Sequence, residues 1–524
     1  MIDTVALREK VLDLAIRGKL VPQDPSDEPA SVLLERIRAQ KQQMVKDGKL
    51  KARDIKDDSI IFVGEDNLHY EKFADGTIEC IEAKIPFDLP SGWLWTRLGS
   101  ISSAIQYGLS NSAEQTGTHR LLRITDIQDG KVDWETVPFT TVTEAETYLL
   151  TKGDIVFART GATVGKSFLI TETPYPSVYA SYLIRIRLLD NVLPEYIYQF
   201  FNSQCYWDQI TDKSVGVGQP NCNGTSLKEL LIPLPPVNEQ SRIVPSACSV
   251  MEYVVSIEDQ RNILLEDIST IKSKILDLAI RGKLVPQNPN DEPASVLLER
   301  IRAEKKELIR QGKIKRDKKE SVIFKGEDNS YYLIQNERAI PADETIVFDL
   351  PDSWCWTTLP TIANVELGKT LDRAKNTGML YPYLRSVNIK WGDIDLSDLN
   401  ETRFEDDELE KYSVIKNDLL ICEGGDVGRC CVWNIDEVFL YQNALHRARM
   451  YANIEPKFYQ YVLMSYESKG ILKRISNGVT IKHLTGTTLS FMPIPLPPVD
   501  EQLRIIETIE LLFAQLDAIK ESLN

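Results

Sequence analysis

VLDLAIRGKLVPQ (Val11–Gln23) returns as ILDLAIRGKLVPQ (Ile275–Gln287), and both copies run on through DEPASVLLERIRA (Asp27–Ala39, Asp291–Ala303). Further along, IPFDLPSGWLWTRL (Ile85–Leu98) is answered by IVFDLPDSWCWTTL (Ile346–Leu359), and IPLPPVNEQSRIV (Ile232–Val244) by IPLPPVDEQLRII (Ile494–Ile506). The register scarcely drifts over half the molecule. A period this long belongs to no solenoid or propeller; it marks two copies of one domain-sized unit. Between the shared borders the copies diverge, and Leu109–Val142 has little in common with Thr370–Arg403. A shared frame with divergent content points to two similar readers that read different things.

The 524 residues are 43% hydrophobic and 26% charged, an ordinary balance for a globular protein. No apolar run reaches membrane-spanning length, and Met1–Leu20 is amphipathic rather than a signal-peptide core, so a cytoplasmic protein without membrane attachment is expected. The eight cysteines contain no C-x-x-C pair and read as thiols. His69, His119, His446 and His483 are not at metal-ligand spacing, so no metal site is expected. A net charge of −16 argues mildly against nucleic acid, but the local field decides that question.

Val250, Ile257, Leu264, Ile271 and Leu278 recur at sevens, with Ile268 and Ile275 four residues on, which predicts a long coiled-coil helix over Glu239–Leu284. Pro245 blurs its start, and Gly282 and Pro286 mark its end. A second helix is expected over Pro293–Gln311, followed by a basic run (Lys305, Lys306, Lys313, Lys315, Arg316, Lys318, Lys319) that reads as a solvated charged linker. Ile505, Leu512 and Ile519, with Ile509, Leu516 and Leu523, repeat the heptad signal at the C-terminus, and Val5, Leu12 and Ile16 carry it at the N-terminus. Joined end to end, the two terminal stretches nearly equal the central helix in length. The repeat is therefore circular, and two long helices packed antiparallel are expected.

The frame divides the chain into residues 1–90, 91–237, 238–351, 352–499 and 500–524. Each variable segment, 91–237 and 352–499, opens on W-x-W (Trp93 and Trp95; Trp354 and Trp356) and closes on P-L-P-P. LLRITDI, DIVFA and SYLIRIRLL in one, and PYLRSVNI, DLLICEG and HRARMY in the other, read as strands. Short helices are expected over Pro194–Trp207 and Pro456–Ile475. The stretches Asp54–Ile85 and Asp317–Ile346 receive no role.

This order resembles the specificity subunit of type I restriction-modification systems. It consists of a W-x-W-x-x-L opening, a strand leading into a Gly-rich turn, an I-P-L-P-P-V-x-E-Q-x-R-I exit and a long helix, then all of it again. The resemblance spans nearly the whole chain, and the doubled exit motif is its specific part. It implies an α+β fold: two globular α/β target recognition domains joined by two long antiparallel coiled-coil helices in a circular pseudo-two-fold repeat. It implies that each domain reads one half of a split double-stranded DNA sequence and that the helices act as a ruler. About 45 helical residues at 1.5 Å each span roughly 65–70 Å, near two turns of DNA. Two methyltransferase subunits and restriction subunits would dock, bringing S-adenosylmethionine in the former and ATP and Mg in the latter. The chain itself would be non-catalytic and hold no cofactor. It departs from many relatives in beginning with the helical segment.

The residues themselves offer no catalytic centre. Gly161-Ala-Thr-Val-Gly165-Lys166-Ser167 resembles a P-loop, but three residues separate its glycines where four are needed, and Gly425-Asp-Val-Gly428-Arg429-Cys430 lacks the Lys-Ser. Both read as a tight turn followed by a base, with Lys166 and Arg429 available to phosphate. No Asn- or Asp-Pro-Pro-aromatic tetrapeptide, which would hold a flipped adenine, occurs. Base reading calls for Arg, Lys, Asn and Gln on loops. In the first variable segment these are Gln106, Tyr107, Ser110, Asn111, Arg120, Arg123, Arg159, Thr160 and Lys166, with Gln219, Asn221 and Asn223 in the Gly-rich stretch Gly216–Gly224. In the second they are Lys369, Thr370, Arg373, Arg385, Asn388, Lys390, Arg429, Gln442, Asn443 and His446, then Asn477, Thr480, Lys482 and His483. Arg123 and Arg385 align within L-R-I-T-D-I and L-R-S-V-N-I and form the best pair, although either could anchor a turn by an ion pair. Two other readings stay open: tandem catalytic domains, and a coiled-coil scaffold with two protein-binding heads.

Overall fold

The seven-residue apolar spacing forms one unbroken helix, Val237–Ile280, in the computed structural model, which describes residues 3–128, 130–213, 221–314, 321–335, 338–342, 346, 348–372, 378–476 and 483–523. Pro245 sits inside this helix as its ninth residue. The helix stops where Gly282 takes φ +65°, and the N–H of Lys283 bonds back to the Leu278 carbonyl at 2.9 Å. Gly18 (φ +64°) ends the helix Thr4–Ile16 in the same way, with Lys19 N–H on the Leu14 carbonyl at 2.8 Å.

The chain forms two compact units, Ile2–Arg261 and Asn262–Asn524, the latter with Met1. In the first unit, Arg8 pairs with Glu258 and Gln23 with Glu239, so Thr4–Ile16 and the start of the central helix run antiparallel. In the second, Lys272 pairs with Asp517 and Gln287 with Glu501, giving the same antiparallel arrangement with the C-terminal helix Val499–Leu523.

Only part of the expected seam is buried. Leu264 and Ile271 are 46% and 45% exposed, whereas Val254, Ile268 and Ile275, in the row four residues on, are buried. Both rows satisfy the heptad, and the packing partner, here Ile505 and Ile509 beside Ile275, chooses between them. The second helix runs Ala294–Arg310 behind Pro293. Lys305, expected in a solvated run, is 8% exposed and donates to the Pro360 carbonyl at 3.2 Å. Residues 315–320 of that run lie outside the described residues.

The stretches left without a role each fold into a three-stranded antiparallel meander: Ser59–Val63, His69–Phe73 and Ile78–Cys80; Val322–Lys325, Tyr331–Gln335 and Arg338–Pro341. Ile61 and Ile81 pack on Trp95, and Leu333 and Ile346 on Trp356. The meander thus shields the outer tryptophan of each W-x-W.

Each W-x-W strand pairs antiparallel with its own I-P-L exit, Trp95 opposite Pro233 and Trp356 opposite Pro495, so both ends of each variable segment meet at one neck. Above the first neck stands an antiparallel sheet in the order Ser167–Leu169, Ile155–Ala158, Leu183–Leu188, Ser102–Tyr107. The second head repeats it as Cys430–Val432, Leu419–Cys422, Leu445–Met450, Ala363–Leu367. A second sheet flanks each, three-stranded in the first head and four-stranded in the second, with Ser177–Tyr179 parallel to His119–Leu122 in the first and Phe439–Tyr441 parallel to Met379–Leu384 in the second. The expected short helices each appear as two pieces, Pro194–Phe201 and Gln204–Lys213, then Pro456–Ser468 and Ile471–Ile475.

Candidate nucleic-acid interface

Alternation along the central strand of each head sends its side chains to opposite faces of the sheet. Ile184 and Ile186 take one face, and Arg185, itself only 3% exposed, and Arg187 take the other. Arg187 closes a two-pronged ion pair on buried Asp154 at 2.7 and 2.6 Å, and Arg449 does the same to Asp418 at 2.8 and 2.7 Å. Arg185 donates to Gln106 Oε1 at 2.7 Å, and Arg447 pairs with Glu366. These arginines brace the scaffold that presents the loops.

The Gly-rich turns are hairpins. Ala158 N–H bonds to the Lys166 carbonyl at 2.8 Å and Gly165 N–H to the Ala158 carbonyl at 3.1 Å. Gly165 has φ +89°, and a Cβ there would come within 2.6 Å of Trp207. Cys422 and Arg429 repeat the first of these bonds at 2.8 Å. A strand-to-strand hairpin does not wrap a phosphate as a strand-to-helix P-loop does. Lys166 is exposed on its hairpin, while Arg429 pairs with Asp426 and donates to the Ser386 carbonyl at 2.9 Å.

At the same end of the first sheet lie Tyr107, Arg159, Thr160, Asn221 and Asn223. The Arg159 guanidinium lies 4.8 Å from the centre of the Tyr107 ring. The Tyr107 hydroxyl accepts from Gly224 N–H at 2.9 Å, Thr160 forms a β-bridge with Asn221, and Asn223 caps the short helix Gly224–Lys228. Ser110 and Asn111 are exposed, with Asn111 donating to the Thr141 carbonyl at 3.1 Å. Arg120 is buried beneath Phe139 and Tyr175 and donates to the Val137 carbonyl at 2.6 Å. Arg123 is tied to Asp126 through Nε and Nη2 at 3.0 and 2.6 Å.

In the second head, Lys369 and Gln442 form the bridge that Leu109 and Ala180 form in the first, and Gly424 bridges His483 as Thr160 bridges Asn221. Lys369 is buried against Glu408 and the Phe404 ring. Asn443 N–H bonds to the Lys369 carbonyl at 3.0 Å. Buried Asn388 accepts from Arg385 N–H and donates to the carbonyls of Asp395 and Asp398, and the Arg385 side chain holds Asp398 at 2.8 Å. His446 is 2% exposed with Nε2 3.0 Å from the Leu484 carbonyl, and burial lowers its pKa. Thr370, Lys390 and His483 are exposed. Gln219, Arg373, Asn477, Thr480 and Lys482 lie outside the described residues.

Tyr182, absent from the sequence-based set, is 65% exposed at this sheet end, its carbonyl bonded to Arg159 N–H. Its only sequence signal is an aromatic residue at a strand start, which reads as core. Among the described residues, no group of His, Cys, Asp and Glu could hold a metal ion, and no helix is long and apolar enough to cross a membrane.

Two like-built heads, each offering different loop side chains at the same sheet end, define a two-headed recognition protein. Residues 108–267 and 351–524 match the model of the type I restriction modification DNA specificity domain, and the chain belongs to that family. It is the non-catalytic DNA specificity subunit of a type I restriction-modification system. It is 28% identical to the Type I restriction enzyme EcoAI specificity subunit of Escherichia coli, over 98% of this chain and 90% of that one. The Escherichia coli EcoEI specificity subunit is 26% identical over 99% and 90%. A chain solved in work on complex assembly and conformational transition of the type I R-M system shares the fold. Its TM-score is 0.53 at 20% identity, covering 84% of this chain and 94% of that one.

Proposed function

We propose that each head reads one half of a split double-stranded DNA target and that the long helices hold the halves at a set spacing. The observation that carries this reading is the contrast between conserved and varied positions within one chain. Trp93, Glu239, Asp154 and Arg187 recur as Trp354, Glu501, Asp418 and Arg449 in the same contacts, while the loop residues at the sheet ends differ. Two methyltransferase subunits dock on the helical frame, and restriction subunits join them. S-adenosylmethionine belongs to the former, and ATP and Mg to the latter. Contact falls to the exposed or loosely held members of the sequence-based set: Tyr107, Ser110, Asn111, Arg159, Thr160, Lys166 and Asn221 in one head, Thr370, Lys390, Gln442, Asn443 and His483 in the other. The buried Arg120, Lys369, Asn388 and His446 support these loops. With a net charge of −16 the chain alone binds DNA weakly, and partners supply positive field.

The test is methylome sequencing of a clean host expressing the neighbouring methyltransferase gene with and without this chain. A new split adenine-methylation motif that needs both proteins is the expected result. No new motif beside an active methyltransferase would overturn the reading.

A further inference from the structure

The two heads place opposite charges at one equivalent position. In the first head, Arg159 follows the strand Ile155–Ala158; its N–H donates to the Tyr182 carbonyl at 3.1 Å, and its carbonyl accepts from Cys222 N–H at 3.0 Å. In the second, Glu423 follows Leu419–Cys422; its N–H donates to the Ala444 carbonyl at 3.0 Å, and its carbonyl accepts from Leu484 N–H at 2.7 Å. The same two backbone bonds fix both residues, so both side chains start from the same point at the end of the sheet.

Their surroundings differ in kind. The Arg159 guanidinium rests by the ring of Tyr107, itself 39% exposed, and its backbone is bonded to that of exposed Tyr182. Its Nε is buried with no hydrogen-bond partner, and among the described residues it has no ion-pair partner. The matching positions around Glu423 are Leu367 and Ala444, neither aromatic nor charged. Among the described residues the Glu423 carboxylate accepts no hydrogen bond and forms no ion pair, although its charge is felt by the His446 ring. Every other arginine of the two central strands is committed: Arg185, Arg187, Arg447 and Arg449 all hold scaffold acceptors. A guanidinium held by an aromatic ring and lacking an acceptor is prepared for a ligand with paired acceptors. A carboxylate lacking a donor is prepared for an amino group.

We propose that Arg159 and Glu423 are equivalent specificity-determining residues of opposite sense. Arg159 takes the O6 and N7 acceptors of a guanine in the half-site of the first head. Glu423 accepts from a base amino group, cytosine N4 in the pairing that carboxylates favour, in the half-site of the second. This rests on the reading that each head contacts one DNA half-site.

The test compares methylomes from the natural chain, Arg159→Gln and Glu423→Gln, each expressed with the methyltransferase subunit. If the natural chain gives no split motif, the function itself is misread. If it gives one, Arg159→Gln should relax a guanine-bearing position in one half, and Glu423→Gln a position in the other. Discrimination should fall about tenfold or more at that base pair, with the rest of the motif and its spacing intact. An unchanged motif, or both variants acting on the same half, overturns the assignment. Should a variant abolish methylation, its purified complex with the methyltransferase is titrated with duplexes altered one base pair at a time. Discrimination lost at one position supports the proposal, and affinity lost evenly at all positions contradicts it.

Discussion

Trp93 Nε1 donates to Glu239 Oε2 at 2.8 Å, joining the W-x-W strand to the first turn of the central helix across 146 residues of sequence. Trp354 and Glu501 form the same bond at 2.9 Å. Each glutamate also accepts from the glutamine that ends the LAIRGKLVPQ motif, Gln23 or Gln287. Three separately repeated sequence blocks thus converge on one buried carboxylate in each unit, which is the physical reason they repeat together.

Glu239→Ala leaves the Trp93 indole and Gln23 without their acceptor. A buried donor without a partner costs about 1–3 kcal/mol, so the first unit should lose that much stability, and Glu501→Ala should cost the second a similar amount. Urea unfolding of each variant measures it. An unmoved midpoint in both would show that the frame is held elsewhere.

Burial raises the carboxyl pKa of Glu239 above its ordinary 4.5, against the lowering effect of the bonds from Trp93 and Gln23, and Glu501 is raised in the same way. A carboxyl raised in the folded state contributes stability that is full below pH 4.5 and is lost as pH rises through the folded pKa. Glu239→Gln removes this titration. The stability of that variant relative to the natural chain should therefore climb from about pH 4.5 and level off towards neutrality. A difference that stays flat, or falls, contradicts the account.

Lys166 stands exposed on its hairpin, suited to a phosphate rather than a base. Lys166→Ala in the assembled complex should weaken binding evenly across DNA sequences. It should also lower the slope of log affinity against log salt by about 0.9 in magnitude. A change of sequence preference with an unaltered slope would instead make it a base contact.

The frame was legible in the sequence because its residues are constrained twice. The W-x-W opening, the P-L-P-P exit and Gly18 with Gly282 occupy the same contacts in both units, so repetition exposed them. Which row of the central helix is buried was not legible, since rows through Leu264 and through Ile268 both satisfy the heptad and only the packed partner selects one. The meanders were missed because runs such as HYEKF bury a charged residue, Glu71 against Arg97, and show little apolar alternation along short strands. Of the two residues proposed at the sheet ends, Arg159 was picked by residue type and Glu423 was not, because a search for donors passes over a carboxylate. Arg123 and Arg385, matched by alignment, turn out to hold Asp126 and Asp398 beside the turns that follow them.

The most direct test of the central claim, that each head reads its own half-site, is a chain whose residues 98–230 are replaced by a second copy of residues 359–492. Both necks are built alike, so the duplicated head should seat on the first neck. The methylome of cells expressing this chain with the methyltransferase should show a split motif at the natural spacing in which both halves carry the sequence read by the second head. Retention of the natural motif, in a chimera shown to assemble with its methyltransferase, would contradict the account.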